Sequence, residues 1–463
     1  MTSVVLVLYL GILMPAGILV ALTALPSSKL PVRVFALASA VASSASAFLL
    51  FTAGSWSEWT SDPVDVVLIG SPGSGDFVRV DALSLPLFPM VGLIWLCGLA
   101  IAPRLSFSAR SARRSALAYL AMVLAFSSTS PELLAGLIVV SSLVFLSEHH
   151  ALVRVYRVAG TYLATSSLLL VGGVVLLRFG GRWDAAAVWL IIAALLIRKG
   201  IVPVHSWMPE SFERGHLVPA ILFNTPQVGA YAIVVIVLPV TPAGTLEFMA
   251  TAALLTTLYG AMLAVVESDT RRAFGYLFMS QSALVLVGLG TGNEDGVAGT
   301  LAVWMAAGLS MSGLGLTIAA LELRRGRLSL RDHHGGYEQM PLLAASFLIF
   351  GLASVGFPGT LGFLGEELLV AGIVGQFPYV GFIVIAAVAL NGVTVLKMYF
   401  SLFCGTRLDG VSLALRGRET AAFATLAVIL VVGGLFPKHL VESRIEAARV
   451  ALSHPAPTDT HIP

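Results

Sequence analysis

The sequence predicts an all-α polytopic membrane protein with about 14 transmembrane helices. Composition points there first: of 463 residues 57% are hydrophobic and 11% charged, and the mean hydropathy is +0.92. A soluble globular domain carries about 25% charged residues. Apolar windows of about 17–25 residues, long enough to cross a bilayer, recur along the chain. Lys and Arg gather in every second connecting loop, the signature of alternating sides. The formal net charge of +2 and the absence of basic runs argue against a nucleic-acid partner.

The windows fall near 4–25, 34–54, 82–102, 114–129, 132–148, 158–178, 185–208, 217–239, 244–266, 273–290, 297–322, 341–376, 379–404 and 419–437. The first lacks a basic leader and a cleavage site, so it reads as a retained helix. Residues 55–80 are rich in Gly, Ser, Pro and Asp and read as an exposed irregular or hairpin segment. Cys97 and Cys404 lie in apolar stretches, which excludes a disulfide framework. The segment from Lys438 reads as a short mixed helix, VESRIEAARVAL, followed by a Pro/Thr-rich end, an extramembrane tail at 438–463. The whole chain, 1–463, is expected to be one transmembrane domain.

Loops after odd-numbered spans hold eighteen Lys and Arg, including Arg113, Arg114, Arg271, Arg272, Arg324 and Arg325; loops after even-numbered spans and the tail hold six. The odd loops are therefore expected to be cytoplasmic and both termini on the outer face.

The stretch LIIAALLIRKGIVPVHSWMPE, from Leu190, stands apart. Arg198 and Lys199 fall inside an apolar run, and a charge at the bilayer centre costs roughly 2.5–3.5 kcal/mol on insertion scales. Pro203 has no N–H to bond the carbonyl of Lys199 and is expected to break the helix. Freed backbone at membrane depth is tolerated only where protein or water satisfies it. A second interruption, FGLASVGFPGTLGFLGEELLV, carries Gly356, Pro358, Gly359 and Gly362, then Glu366 and Glu367. Two broken, charged helices in corresponding halves fit inverted repeats around a midplane site. The plainer reading makes the second break a loop and Glu366 a helix-start acid.

Other ionisable residues read less sharply. His205 is a proton relay or a polar plug for freed carbonyls, its imidazole titrating near neutrality. Lys397 snorkels to the interface. His149, His150, His333 and His334 read as solvated loop histidines rather than metal ligands. With no nucleotide loop, metal spacing or nucleophile elbow, no cofactor, metal or catalytic site is expected.

Three motifs together resemble a known family, the antiporter-like proton-conducting subunits of respiratory complex I, Mrp antiporters and energy-converting membrane hydrogenases. They are RKGIVPVHSWMPE, ESDTRRAFGYLFMSQSALVLVGLG at 267–290 and GFPGTLGFLGEELL at 356–369, with FVRVDALSLPLF at 77–88 in support. The resemblance implies two five-helix repeats, 114–239 and 244–404, and an ion (H⁺ or Na⁺) path along Arg198, Lys199, His205, Gln227, Glu366 and Glu367. It implies other membrane subunits as partners and a bacterial cytoplasmic membrane as the location. The relay is degenerate: Arg198 replaces the seventh-helix lysine, Gln227 the eighth-helix lysine, Gly136 the fifth-helix glutamate, and Val303 and Met311 the eleventh-helix histidine and lysine. The function expected is an ion-translocating subunit of a larger complex, part of a proton-translocating oxidoreductase. The alternatives are a non-conducting scaffold or the membrane subunit of an inorganic-carbon uptake complex.

Overall fold

In the computed structural model residues 2–24, 31–55, 65–71, 75–103, 107–181, 184–241, 243–375, 377–405 and 413–453 are described. Lys29, Arg104, Arg182 and Arg407, most of the segment 55–64 and the end 454–463 lie outside them. Two helices, α1 (Thr2–Ala24) and α2 (Val32–Ser55), precede a two-stranded antiparallel hairpin, β1 (Val66–Ser71) and β2 (Gly75–Val80). Helices α3 (Leu87–Ile101), α4 (Ala109–Ala125), α5 (Pro131–His149), α6 (Val153–Leu177) and α7 (Asp184–Arg198) follow. Next come α8 (Trp207–Arg214), α9 (Leu217–Asn224), α10 (Val228–Ala232), α11 (Ala243–Val266), α12 (Thr270–Leu289) and α13 (Glu294–Arg325). The chain continues through α14 (Pro341–Ser354), α15 (Leu361–Val374), α16 (Pro378–Phe403), α17 (Gly417–Leu435) and α18 (Lys438–Ser453).

Each expected window overlaps helix. Among the described residues ten helical segments are long and apolar enough to cross a membrane by themselves, and the other four windows fall on the shorter helices α3, α4, α7 and the pair α14 and α15. The periphery is apolar in the way lipid requires: Leu168 on α6 and Phe382 on α16 are 75% and 73% exposed. The centre belongs to α12 and α13, whose most apolar windows are 94% and 100% buried.

Small residues let α13 sit there. A Cβ on Gly365 of α15 would stand 2.7 Å from the Val303 nitrogen, and one on Gly299 would strike the Leu369 backbone. Close backbone approach through small residues is how helices associate where no hydrophobic force separates helix from lipid.

Three helices are interrupted. The seventh ends at Arg198, five residues ahead of Pro203, because Gly200 takes a left-handed φ of 65° that closes the helix. There Ile201 N–H reaches back to Leu196 O at 3.0 Å, and Pro203 lies in the turn that links α7 to α8, closed by Val204 N–H to Ile201 O at 2.9 Å. The expected twelfth window splits into α14 and α15, with Pro358 between them. The eighth window, expected to be continuous, also breaks: α9 stops at Asn224, Gln227 adopts φ 55°, and a π-helical turn, Ile233–Val237, follows α10. Pro226 supplies part of the local reason, since its ring donates no hydrogen bond to the preceding turn; Thr225 before it stays helical at φ −70°, ψ −28°, and the chain leaves the helix at Gln227.

The C-terminal segment is docked. On α18, Arg444 is 0% exposed and donates to the carbonyls of Ala82 and Leu83, at the start of α3. Burial pulls its pKa down to about 9, opposed by the charge of Asp81, so it stays protonated at neutrality.

Candidate functional site

The backbone groups freed at the breaks after α7 and α9 find partners, and those partners place the charges. At the end of α7, Trp207 Nε1 donates to Ile197 O at 2.8 Å and Ser166 Oγ to Ala194 O at 2.8 Å. Thr256 Oγ1 accepts from Val202 N–H at 3.0 Å. At the break after α9, one stripe of α13 does the work at positions i, i+4 and i+8. Trp304 Nε1 donates to Pro226 O at 2.9 Å, Ser312 Oγ to Thr225 Oγ1 at 2.7 Å, and Gly308 between them leaves room for the Thr225 carbonyl.

The two breaks bring Arg198, Lys199 and Gln227 together. Successive residues on a helix point about 100° apart, and the two cations diverge accordingly. Arg198 turns to α5, donating to Ser142 Oγ at 2.7 Å and Ser141 Oγ at 2.8 Å, with its guanidinium 4.8 Å from the Phe223 ring centre. Lys199 turns the other way and donates to Gln227 Oε1, which also accepts from Ser282 Oγ of α12 at 3.4 Å. Arg198, Lys199 and Gln227 are all buried. Around them lies a cavity of about 20 Å³, also lined by Met208, Asn224 and Ser282, enough for one water-sized species. The carbonyl end of α7 favours cations at this point.

The remaining expected residues lie elsewhere. His205 is half-buried, its ring edge-on to Tyr259 at 5.3 Å. Glu366, half-buried on α15, packs its carboxylate against Gly356 and has no hydrogen-bond or ion-pair partner among the described residues. Glu367 is exposed on the outer face of the same helix. No contact among the described residues joins Glu366 to the Lys199 cluster. Val303 and Met311 are buried in α13. Gly136 lies on the exposed face of α5, turned away from Ser141 and Ser142, so a carboxylate at that position would not meet Arg198.

Some readings are corrected by these contacts. His149 is not solvated: it is fully buried, its Nδ1 2.9 Å from Phe145 O and its Nε2 accepting from His216 N–H at 3.0 Å. His150 and His333 are exposed, and no group of metal-ligating side chains occurs among the described residues. Lys397 is half-buried and caps the end of α11, donating to Val265 O and Glu267 O at 2.7 Å each. Sequence reasoning missed Ser141 and Ser142 as partners of Arg198 and Ser282 as a partner of Gln227. It also missed the buried pair on α12 and α16, where Asn391 Nδ2 donates to Ser280 Oγ at 2.9 Å. The signal was present in MSQSA and LNGVT, polar residues inside otherwise apolar spans.

Interrupted helices that hold buried cations inside an apolar bundle are those of an integral, polytopic membrane protein. The family model for the NADH:quinone oxidoreductase/Mrp antiporter transmembrane region matches residues 127–391, and the chain belongs to that family. It is 29% identical over 270 residues to NADH-quinone oxidoreductase subunit M of Pseudomonas aeruginosa, covering 55% of this chain and 52% of that protein. To subunit M of Rickettsia prowazekii it is 24% identical over 299 residues, covering 63% and 60%. The chain thus spans between half and three-fifths of the curated relatives it matches. Among solved structures, one of the Mrp complex from Dietzia sp. DQ12-45-1b superposes with a TM-score of 0.86 at 19% identity over 98% of both chains. One of respiratory complex I from Thermus thermophilus gives 0.84 at 23% identity over 96% of this chain and 99% of that one. At these identities the likeness shows the fold.

Proposed function

We propose that this chain is an ion-translocating, antiporter-like subunit of a larger complex I-related membrane complex. It sits in a bacterial cytoplasmic membrane with both termini on the outer face, beside other membrane subunits. The observation that carries the reading is the buried Arg198–Lys199 pair at the end of α7, with Lys199 bonded to Gln227 at the break after α9. Cations kept at that depth, where they are costly, mark an ion path. The path would run through Arg198, Lys199, His205 and Gln227 in the half 114–239 and through Glu366 in the half 244–404. Glu367, on the outer face, would instead meet lipid or a neighbouring subunit. Arg holds charge without releasing a proton, so Lys199 is the titrating member of the pair.

A scaffold role is the second reading. Val303 and Met311 offer no proton carrier, and Gly365 brings α15 against the backbone of Val303. Glu366→Gln decides between the two. In sealed vesicles of the intact complex it should abolish coupled ion pumping while the complex still assembles. Pumping at the parental rate in that variant would leave the chain a scaffold.

A further inference from the structure

Arg198 and Lys199 are consecutive, 6% and 3% exposed, and neither has an acidic partner among the described residues. The carboxylates of α5 and α8 are engaged elsewhere: Glu132 with Arg178 at 2.6 Å, Glu148 with Arg114 at 3.3 Å, Glu210 with Arg154 at 2.7 Å and Arg214 at 3.1 Å, and Glu213 with Arg214 at 3.6 Å. Two other well-covered arginines have their acid, Arg271 with Glu322 and Arg324 with Glu419, and the buried Arg444, bonded to carbonyls, feels the charge of Asp81. The unmatched pair departs from that pattern.

What surrounds the pair offsets only part of two positive charges. The end of α7 supplies roughly half a negative charge, and its last carbonyls are already bonded by Trp207, Gly200 and Ser166. Ser141 and Ser142 are neutral, and the Phe223 ring adds a weak cation–π attraction. Gln227 Oε1 is committed to Lys199 and Ser282, whereas its buried Nε2 has no hydrogen-bond partner. The φ of 55° at Gln227, uncommon for a residue with a side chain, fixes that amide beside the cavity. The cavity of about 20 Å³ therefore combines two cations with an unpartnered amide donor and has room for one species of atomic size.

We propose that this cavity binds a monovalent anion of halide size, which acts as a mobile counter-charge to Arg198 and Lys199. A buried charge without a partner is strongly destabilising, and no described side chain of this protein supplies the negative charge. The proposal rests on this geometry and holds whether or not the chain conducts ions.

The test uses the full chain in mild detergent, without a membrane gradient. Its unfolding midpoint is followed as sodium chloride or bromide replaces sodium gluconate at constant ionic strength, and bromide is located by its anomalous signal or by density. The halides should raise the midpoint saturably where gluconate does not, with bromide found between Arg198, Lys199 and Gln227. Ser142→Glu builds a carboxylate beside Arg198 and should abolish the halide response. Lys199→Gln should weaken half-saturation by about tenfold or more, and this second variant decides the matter if the first does not fold. An identical response to gluconate and halide, an unchanged response in Lys199→Gln, or bromide absent from the cavity would overturn the proposal. Loss of pumping in Glu366→Gln leaves all of these readouts unaffected, so the two readings fail separately.

Discussion

A single indole nitrogen shows how the site is held. Trp207 is fully buried and its Nε1 bonds the Ile197 carbonyl, one residue before the cations. Trp207→Phe keeps most of the apolar contact but leaves that carbonyl only its 3.1 Å bond from Gly200 N–H. A cost of about 1–3 kcal/mol is expected for weakening a buried hydrogen bond at this depth, read as a lower unfolding midpoint in detergent. Arg444 acts in the same way at the other end of the chain. Arg444→Leu strips donors from the Ala82 and Leu83 carbonyls at about 1–3 kcal/mol for each group left unsatisfied. It should also release α18, so that protease cuts near Lys438 faster than in the parent protein.

At the scale of elements, α13 organises the interior. Its stripe of Trp304, Gly308 and Ser312 closes the break after α9, and Gly299 lies against the backbone of α15. Gly308→Val tests this. A Cβ there already stands 2.8 Å from Met90 Sδ and 3.2 Å from Thr225 O, and the added methyls must displace one of them. Overpacking of this kind costs about 1–3 kcal/mol and should shift the unfolding midpoint down. The same helices show what a sequence makes legible. Span positions were readable because apolar length is a local property, and the charges at Arg198, Lys199 and Glu366 stood out against it. The end of α7 was placed at Pro203, since a proline is a more visible signal than Gly200, whose φ decides the outcome. The break at Pro226 was passed over because hydropathy continues through it; only Trp304 and Ser312, some eighty residues on, make it tolerable. The partners of Arg198 were hidden for the same reason. Ser141 and Ser142 are ordinary small residues in sequence and become hydrogen-bond acceptors only once α5 is packed beside α7.

For the whole molecule, sidedness is the property that follows from charge and can be checked directly. The ion pairs Arg114–Glu148, Arg271–Glu322 and Arg324–Glu419 all belong to ends that the odd-numbered loops join. Arg178–Glu132 and Arg449–Glu294 belong to the opposite ends. The arginine-rich ends are expected on the cytoplasmic side, because Lys and Arg near a span resist translocation. His150, at the end of α5, is exposed on the first side, and Asp295, at the start of α13, is exposed on the second. Single cysteines placed there, with Cys404→Ser to remove the half-buried native thiol and Cys97 left fully buried, report the orientation. A membrane-impermeant maleimide added to intact cells should label Asp295→Cys and spare His150→Cys until the membrane is opened. The reverse pattern would invert the molecule and place both termini in the cytoplasm.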